Sequence, residues 1–298
     1  MSLVAVGSVG LDTVETPFGK VEEVIGGSAV YFSLAASLFT RIQIAANVGN
    51  DFPDRIWQLL AERGADLSGI KVIEDMPTFR WSGRYQGDMN EAETLRTELN
   101  VLALPPETPE SYGGSPFVFL ANMGADVQLA TLQRLQGRYV FADTMNLWIE
   151  TQRDLLLELM AKLHGLILNE TEARMLTGET NLIKAGGALL DLGPRVVVIK
   201  KGEHGAFLFE RSFHFALPAY PTAQVVDPTG AGDSFAGGFL GALADMGSLE
   251  PTALRRAMAL GTVTASLTVE HFSTGGLEAA DRKEVDRRFR ELHEFVRL

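Results

Sequence analysis

The chain has 298 residues, of which 46% are hydrophobic and 21% charged, which is enough for one large α/β domain or a core with a small appendage. Its formal net charge of −12 disfavours nucleic-acid binding, so an anionic substrate would need a local binding site. The lack of cysteine excludes disulfides and thiolate metal sites, no apolar run is long enough to span a membrane, and the five histidines are too scattered for a zinc site.

Short apolar strands alternate with helical patterns along the chain, beginning with a strand where a signal peptide would show a basic segment. Strands that are apolar throughout indicate burial on both faces. The pattern predicts a doubly wound, mostly parallel central sheet with helices on both faces. The predicted strands are 3–6, 42–45, 117–120, 139–141, 165–168 and 196–199, and the predicted helices are 29–39, 54–63, 127–136, 152–161, 170–176, 181–192, 234–244, 250–268 and 280–296.

Two stretches interrupt this alternation. Residues 11–25 indicate a β-hairpin with a Gly turn, and residues 77–103 contain two alternating segments separated by a polar turn. We expect them to pair into a small sheet beside the main domain that acts as a lid, since lids exclude water during group transfer. The alternative is a pair of surface hairpins without a gating role.

The most informative segment is 227–235, Asp-Pro-Thr-Gly-Ala-Gly-Asp-Ser-Phe. It follows a β-branched stretch and precedes a run of small apolar residues, so we interpret it as a loop that leads into a helix N-terminus. Such an end holds anions through unpaired N–H groups and the helix dipole, and glycine lets a phosphate approach the backbone. Asp233 in this place fits a base that takes a proton from the group attacking a phosphoryl centre.

The same residues are compatible with a plain turn in which Asp233 caps the helix and Gly237 and Gly238 allow tight helix packing. The segment is not a Walker P-loop, because no Gly-Lys-Ser/Thr follows it. It is not a dinucleotide-binding turn either, because Phe235 stands where that motif has its last glycine.

Residues 227–235 closely match the C-terminal signature of the ribokinase-like (PfkB) carbohydrate kinase family. Three further parts of the chain resemble this family in the expected order. They are the N-terminal signature at 26–29 and 47–51, an Asn-x-x-Glu element within 168–173, and a strand followed by a Gly turn at 198–206. The resemblance spans nearly the whole chain and implies a single ribokinase-like α/β domain over residues 1–298.

Carried over residue by residue, the resemblance assigns catalytic roles to this signature. Asp233 matches the base that deprotonates the acceptor hydroxyl, and the backbone N–H groups of Gly230, Ala231 and Gly232 match the anion hole for the γ-phosphoryl group. Asp227 matches an acid at the start of the signature. In related kinases this region also helps bind a monovalent cation, which here would be K⁺.

The nucleotide side is assigned in the same way. Asn169 and Glu172 match the element that organises Mg²⁺, largely through water. From the residues alone, Asn169 equally caps the following helix with Glu172 supporting the cap, and both interpretations can hold together. Lys200, Gly202 and Gly205 align with nucleotide-contacting positions, although a lysine pair at a strand end is often only solvated.

The acceptor side resembles the family less closely. Asp12 lies where the family often has an acid that grips sugar hydroxyls, and Gly26 and Gly27 would let the substrate lie against the backbone. Asp143 follows the C-terminal end of a strand, where ligands gather in open α/β sheets. Tyr31 replaces the Asn that grips the sugar in ribokinases proper, which leaves room for a nucleoside whose base stacks on its ring, unless Tyr31 only packs in the core.

The resemblance implies a phosphotransferase that depends on ATP and Mg²⁺ and acts on an alcohol group of a sugar or sugar derivative. A nucleoside kinase of adenosine-kinase type is one alternative. A catalytically silent sugar- or nucleotide-binding regulator on the same fold is another, and the intact Asp233 argues against it. We expect a cytoplasmic protein with no nucleic-acid or membrane partner, and a homodimer through the lid is compatible with this arrangement.

Overall fold

The structure is a computed structural model, and it describes residues 1–297. The strands are β1 (Leu3–Val6), β2 (Gly10–Thr16), β3 (Gly19–Gly26), β4 (Ile42–Gly49), β5 (Asp66–Ile73), β6 (Phe79–Tyr85), β7 (Ala92–Glu98), β8 (Phe117–Leu120), β9 (Tyr139–Ala142), β10 (Gly165–Asn169), β11 (Val196–Lys200), β12 (Ala206–Glu210) and β13 (Phe213–Leu217). The helices are α1 (Ser28–Ala36), α2 (Arg55–Glu62), α3 (Ala125–Leu132), α4 (Asn146–Thr151), α5 (Arg153–Met160), α6 (Glu170–Thr177), α7 (Leu182–Asp191), α8 (Ala231–Met246), α9 (Pro251–Val269), α10 (Gly275–Ala279) and α11 (Arg282–Phe295).

Nine of these strands form the main sheet, in the order β13-β12-β11-β10-β9-β8-β1-β4-β5. The strands from β11 to β5 pair in parallel, and β12 and β13 add an antiparallel hairpin at one edge. Because the parallel strands all point the same way, the loops after β1, β9, β10 and β11 meet at one edge of the sheet. Ligands bind at this edge in open α/β folds.

The main sheet is buried on both faces because successive residues of its strands enter two separate apolar cores. Leu3 and Ala5 of β1 contact one core, whereas Val4 and Val6 contact the other. The first core is covered by α1, α2 and α8 to α11, and the second by α3 to α7. This layering confirms the predicted fold class.

The predicted strands and helices of the main domain are all present, with ends shifted by a few residues. The sequence prediction missed β5, β12, β13 and two short helices, α4 and α10. β5 is an edge strand whose side chains are mostly partly exposed, so it lacks the continuous apolar run that marks a buried strand. β12 and β13 form an antiparallel hairpin, whereas the alternation of strands and helices predicts only the parallel strands of the sheet.

The remaining four strands form a second, smaller sheet in the order β3-β2-β6-β7. β2 and β3 are an antiparallel hairpin, as are β6 and β7, and the parallel pair β2–β6 joins the two hairpins. These strands come from the two stretches that interrupt the strand–helix alternation. The second sheet will be called the lid sheet, and its motion remains a prediction.

Asp51 connects the lid sheet to the main domain. Its Oδ1 accepts hydrogen bonds from the N–H and the hydroxyl of Thr78, at 2.9 and 2.6 Å, and its Oδ2 accepts one from Arg80 at 2.7 Å. Burial alone would raise the pKa of Asp51, but these hydrogen bonds outweigh it and lower the pKa to about 2. The carboxylate therefore fixes the start of β6, where the chain enters the lid sheet.

Among residues 1–297, no helix combines the length and the apolarity that a membrane crossing requires.

Candidate active site

The loop before α8 is held by Asp227, which is fully buried. One oxygen of its carboxylate accepts the N–H of Thr229 at 2.9 Å, and the other accepts the N–H of Ser273 at 3.2 Å. Gly230 then adopts a left-handed conformation with φ of 75° and serves as the N-cap, so α8 begins at Ala231. The interpretation in which Asp233 caps this helix is therefore wrong, because Asp233 lies within its first turn.

The backbone N–H groups of this loop do not all remain available for an anion. Ala231 donates its N–H to the carbonyl of Pro228 at 3.1 Å. Within residues 1–297, the N–H groups of Gly230 and Gly232 have no such partner, as expected at a helix N-terminus. Two of the three N–H groups assigned to the anion hole are therefore free among the described residues, whereas that of Ala231 contributes to the turn, and the anion hole itself remains a prediction.

Lys200 lies directly beside this helix N-terminus. A Cβ added to Gly232 would lie 2.6 Å from the Lys200 Nζ, so the absence of a side chain at Gly232 makes room for the ammonium group. Lys200 ends β11, and its neighbour Lys201 instead places its Nζ over the ring of Phe207, 4.2 Å from the ring centre. The two lysines thus point to different surroundings, and Lys200 is the one that lies beside the start of α8. The region between the end of β11 at Lys200 and the start of α8 at Gly232 will be called the cleft.

Asp233, in the first turn of α8, lies close to several charged side chains. Burial raises its pKa to about 6, against the opposing effect of the Lys200 ammonium. The charges of Lys200 and Asp233 also act on Asp143 and Glu172, so these four groups lie near one another. The assignment of Asp143 to the acceptor remains a prediction.

Burial is the largest cause of the pKa shifts of Glu172 and Asp143. It raises the pKa of Glu172 to about 6, and the charge of Lys200 again opposes the shift. Burial and the charge of Asp233 raise the pKa of Asp143 well above its ordinary value. Among residues 1–297, one oxygen of Asp143, Oδ1, is buried without a hydrogen-bond partner, as is the hydroxyl of Thr144. Unpaired buried polar atoms at a cleft are typical of a ligand site.

Asn169 and Glu172 form a capping box at the start of α6. The Oδ1 of Asn169 accepts the N–H of Glu172 at 2.8 Å, and the Oε2 of Glu172 accepts the N–H of Asn169 at 2.7 Å. This shows the structural role that the spacing predicted. The cap uses Oε2 of Glu172, which leaves Oε1 and the Asn169 amide group for a ligand.

Asp12, at the root of the lid sheet in β2, is a further buried carboxyl group near Asp233. Burial raises its pKa to about 7, and the charges of Asp227 and Asp233 add to the shift. The carboxyl group fills the space that a side chain at Gly26 would occupy, and the N–H of Gly27 hydrogen-bonds to it. The predicted residues Asp12, Gly26 and Gly27 therefore lie together.

Tyr31 packs beneath the loop that precedes α8. A Cβ on Gly230 would overlap the Tyr31 ring, which shows that the ring lies against the backbone of Gly230. The side chain is only 1% exposed, so its ring is not available to stack on a base, and packing in the core is what the structure shows. Its hydroxyl group is buried near the charges of Asp12 and Asp227 and has no hydrogen-bond partner in the part of the chain that the structure describes.

The tip of the β6–β7 hairpin contacts the first turn of α6 and the loop after β11. The N–H of Glu203 donates to the Oδ1 of Asn90 at 3.4 Å, and the hydroxyl of Thr171 donates to the carboxylate of Glu91 at 3.0 Å. A side chain at Gly202 would overlap Asn90. One at Gly205 would overlap the carbonyl of Leu217. Contacts within the protein thus explain both glycines, and nucleotide binding by them remains a prediction.

Comparison with known proteins decides the family. A model of the pfkB family carbohydrate kinases matches residues 4–280. The chain belongs to the pfkB family. Cytidine kinase of Thermococcus kodakarensis is 31% identical over 247 residues, which cover 80% of this chain and 87% of that protein. Membership makes this PfkB protein a phosphotransferase with an alcohol group as acceptor, in the range of sugar and nucleoside kinases.

Solved structures share the fold of this PfkB kinase. Aminoimidazole riboside kinase from Salmonella enterica, complexed with aminoimidazole riboside and an ATP analogue, superposes with a TM-score of 0.79 at 19% identity, covering 97% of this chain and all of the other. A putative ribokinase II of E. coli in complex with ATP and Mg²⁺ gives a TM-score of 0.76 at 19% identity and covers 98% of this chain and 100% of the other. Both confirm the ribokinase-like fold.

Sequence reasoning missed several polar groups of this PfkB site. Ser273 donates its N–H to Asp227, and the hydroxyl of Thr229 donates to that of Tyr85 at 3.3 Å, which connects the lid sheet to the loop before α8. Asn90 supplies the contact at the lid tip. Ser273 and Asn90 are distant in sequence from the groups they meet, so no local pattern marks them.

We expect Asp12→Asn to stabilise the ligand-free protein at pH 8 by an amount on the order of 2–4 kcal/mol. A carboxyl group whose pKa is raised to about 7 makes its stabilising contribution when protonated, below about pH 4, and loses it as the pH rises through 7. Asn cannot ionise and avoids this loss.

Thermal unfolding at pH 8 and pH 5 tests this expectation, with the exposed Asp75→Asn as the matched control. The melting temperature of Asp12→Asn should exceed that of the native protein at pH 8, with a smaller difference at pH 5. An equal or lower melting temperature at pH 8 would show that Asp12 is not a destabilising buried charge.

Proposed function

We propose that this PfkB kinase transfers the γ-phosphoryl group of ATP to a hydroxyl group of a nucleoside. The observation that carries the proposal is that the Asp233 carboxyl group interacts electrostatically with two sets of groups. Lys200, Glu172 and Asp143 form one set, and Asp12 together with Asp227 forms the other. A base between a phosphate site and an alcohol site is the arrangement that phosphoryl transfer requires.

The choice of a nucleoside rests on similarity and on the acceptor side. The cytidine kinase of Thermococcus kodakarensis is similar over most of its length, and the Salmonella enterica neighbour was solved with a riboside. The Asn that grips the sugar in ribokinases is here Tyr31, which is occupied by packing on Gly230. A free sugar as acceptor is the second candidate, and Asp12 beside the backbone of Gly26 and Gly27 supports sugar hydroxyls in either case.

Proton transfer follows from the state of Asp233. Its pKa of about 6 leaves it mostly ionised at neutral pH yet more basic than an ordinary carboxylate. As the acceptor oxygen forms its bond to the γ-phosphorus, Asp233 takes the hydroxyl proton. The bond between the γ-phosphorus and the bridging oxygen breaks, and ADP leaves with that electron pair.

Charge on the transferring group is stabilised at the start of α8. The N–H groups of Gly230 and Gly232 point out of the helix N-terminus, and the Lys200 ammonium lies beside Gly232. These donors are fixed before the reaction, which is the condition for effective electrostatic stabilisation. The phosphates of ATP would occupy the space between Lys200 and this loop.

The residues present fit Mg²⁺ bound largely through water. Within residues 1–297, no three acidic or histidine side chains are grouped as direct ligands of one ion. Glu172 and Asp143 are nevertheless close enough to share the charge of Lys200, and Oδ1 of Asp143 lacks a partner. Mg²⁺ keeps several waters and takes one or two carboxylates plus phosphates, and when bound it would neutralise phosphate charge.

We predict that Asp233→Asn lowers turnover by about 10²–10⁴-fold, because the general base is lost. ATP should still bind, since the change preserves shape and removes a negative charge near the phosphates. For the native enzyme, kcat/KM should fall as the pH drops below about 6, where Asp233 becomes protonated. Steady-state kinetics with an ATP-binding titration measures both effects.

The control is Asp245→Asn, an exposed carboxylate near the other end of the same helix, which should keep full activity. An Asp233→Asn enzyme with more than half of the native turnover would remove Asp233 from the mechanism.

We predict that Asn169→Ala raises the Mg²⁺ concentration needed for half-maximal rate, whereas Asn181→Ala does not. Both residues cap a helix through Oδ1, Asn169 at α6 and Asn181 at α7, so both changes should destabilise the protein by a similar amount, about 1 kcal/mol. Asn181 is exposed and caps a helix away from the cleft residues. The pair therefore separates loss of a cap from loss of an Mg²⁺-organising group.

Mg²⁺ titrations of the rate, at fixed ATP, with parallel melting curves, provide the measurement. Equal Mg²⁺ dependence in the two variants would assign Asn169 a capping role alone.

K⁺ dependence and a homodimer through the lid stay predictions. Side chains of β7, the outermost strand of the lid sheet, are largely exposed, which supports contact with a second copy. Comparing the reaction rate in KCl with that in NaCl tests the K⁺ dependence, and equal rates would contradict it.

Sedimentation equilibrium tests the homodimer, and a monomer at all protein concentrations would contradict it.

A further inference from the structure

The lid sheet places an aromatic side chain next to Asp12. β2 and β6 pair in parallel with Asp12 opposite Trp81 and Val14 opposite Gly83. Laterally paired residues point to the same face of a sheet. Trp81 therefore lies on the face from which Asp12 reaches toward Asp227 and Asp233, which is the acceptor side of the cleft.

The indole ring of Trp81 lies flat along this face. A Cβ on Gly83 would overlap three atoms of its six-membered ring, so the ring covers the glycine two residues further along β6. The indole N–H donates to the hydroxyl of Thr94 on β7 at 3.3 Å, which fixes the orientation of the ring. Trp81 packs against the small apolar cluster of Val14, Tyr85 and Met89, yet remains partly exposed.

The chemistry of this face changes from one end to the other. Asp12 at its root accepts hydrogen bonds, as a polyol requires, whereas Trp81, Val14 and Gly83 beyond it offer an apolar surface. The N–H of Trp81 is already used by Thr94, and the hydroxyl of Tyr85 accepts from Thr229. An acceptor that suits this gradient has hydroxyl groups at one end and a planar, apolar face at the other.

We propose that Trp81 is a specificity-determining residue that stacks on the base of the nucleoside acceptor. The inference rests on the proposed function and deepens it, because it separates nucleosides from free sugars. Aromatic side chains stack on any base through its π-face, so the residue selects for the presence of a base more than for its identity. Gly83 contributes to this arrangement, because only glycine at this position leaves room for the Trp81 ring to lie flat against the sheet.

Two substitutions test the platform by kinetics. Trp81→Leu removes the ring, and Gly83→Val keeps it but forces it away from the sheet. Both should raise the KM for cytidine by about 5- to 150-fold, the range that corresponds to loss of one base–aromatic stack. The KM for ATP should change less than about twofold. Trp81→Phe keeps a smaller ring, so it should raise the KM for cytidine less than Trp81→Leu does. Melting curves check that each variant folds.

Fluorescence tests the same contact without turnover. In a Trp57→Phe/Trp148→Phe variant, Trp81 is the only tryptophan left. Cytidine should change its emission in a saturable manner, and ribose should not. An unchanged cytidine KM in both Trp81→Leu and Gly83→Val overturns the proposal, as does an equal rise in the KM for ATP.

The two proposals fail in different ways. A saturable response to cytidine without ADP formation would contradict the kinase function but support the stacking platform. ADP formation with ribose and not with cytidine, or a Trp81 signal that cytidine leaves unchanged, would overturn the platform while leaving phosphoryl transfer intact.

Discussion

The charge of the Lys200 ammonium is the interaction on which the rest of the cleft depends. Burial raises the pKa of Glu172 and Asp233, and Lys200 opposes the shift in both. The position of Lys200 has two structural causes. β10 and β11 pair in register with Asn169 opposite Lys200, and Gly232 lacks the side chain that would displace the ammonium group. A base that must be ionised at neutral pH depends on this nearby positive charge.

Several buried polar groups of the same cleft oppose folding. Burial raises the pKa of the Asp12 and Asp143 carboxyl groups, and within residues 1–297 the hydroxyl groups of Tyr31 and Thr144 are buried without hydrogen-bond partners. Such groups lower the free energy of unfolding, since buried polar atoms are normally paired. These buried polar groups are concentrated at one edge of a well-packed sheet. Binding sites commonly contain such groups, which lower the stability of the protein but are available to a ligand. The two apolar cores on either face of the sheet supply the compensating stability.

Much of the fold could be predicted because local sequence patterns determine its helices and buried strands. Buried parallel strands are apolar throughout, so β1, β8 and β10 were visible in the sequence, and the loop at 227–235 carried a specific signature. Pairing between distant strands was not visible. The parallel contact of β2 with β6, which brings Trp81 beside Asp12, depends on two segments separated by about a quarter of the chain.

At the site, too, local patterns were visible in the sequence and contacts between distant segments were not. The residue types of Asp233, Asn169 and Glu172 were identifiable from spacing, but the directions of side chains were not. Lys200 and Lys201 look equivalent in sequence, and only strand register sends one to the cleft and the other over Phe207. Likewise, the position of Asp143 after a strand end did not show that its carboxyl group would lie near Lys200 and Asp233. For Tyr31 the sequence left base stacking and core packing open, and the structure shows the ring packed against Gly230.

The most direct test of the account is the product of the reaction. The purified native protein would be incubated with ATP and Mg²⁺ and with nucleosides, free sugars or polyols in turn, while ADP and the phosphorylated acceptor are quantified by mass spectrometry. The account predicts ADP formation that depends on a nucleoside, with one phosphorylated nucleoside for each ADP. ADP formation that no acceptor stimulates, or ADP without a phosphorylated alcohol, would contradict it.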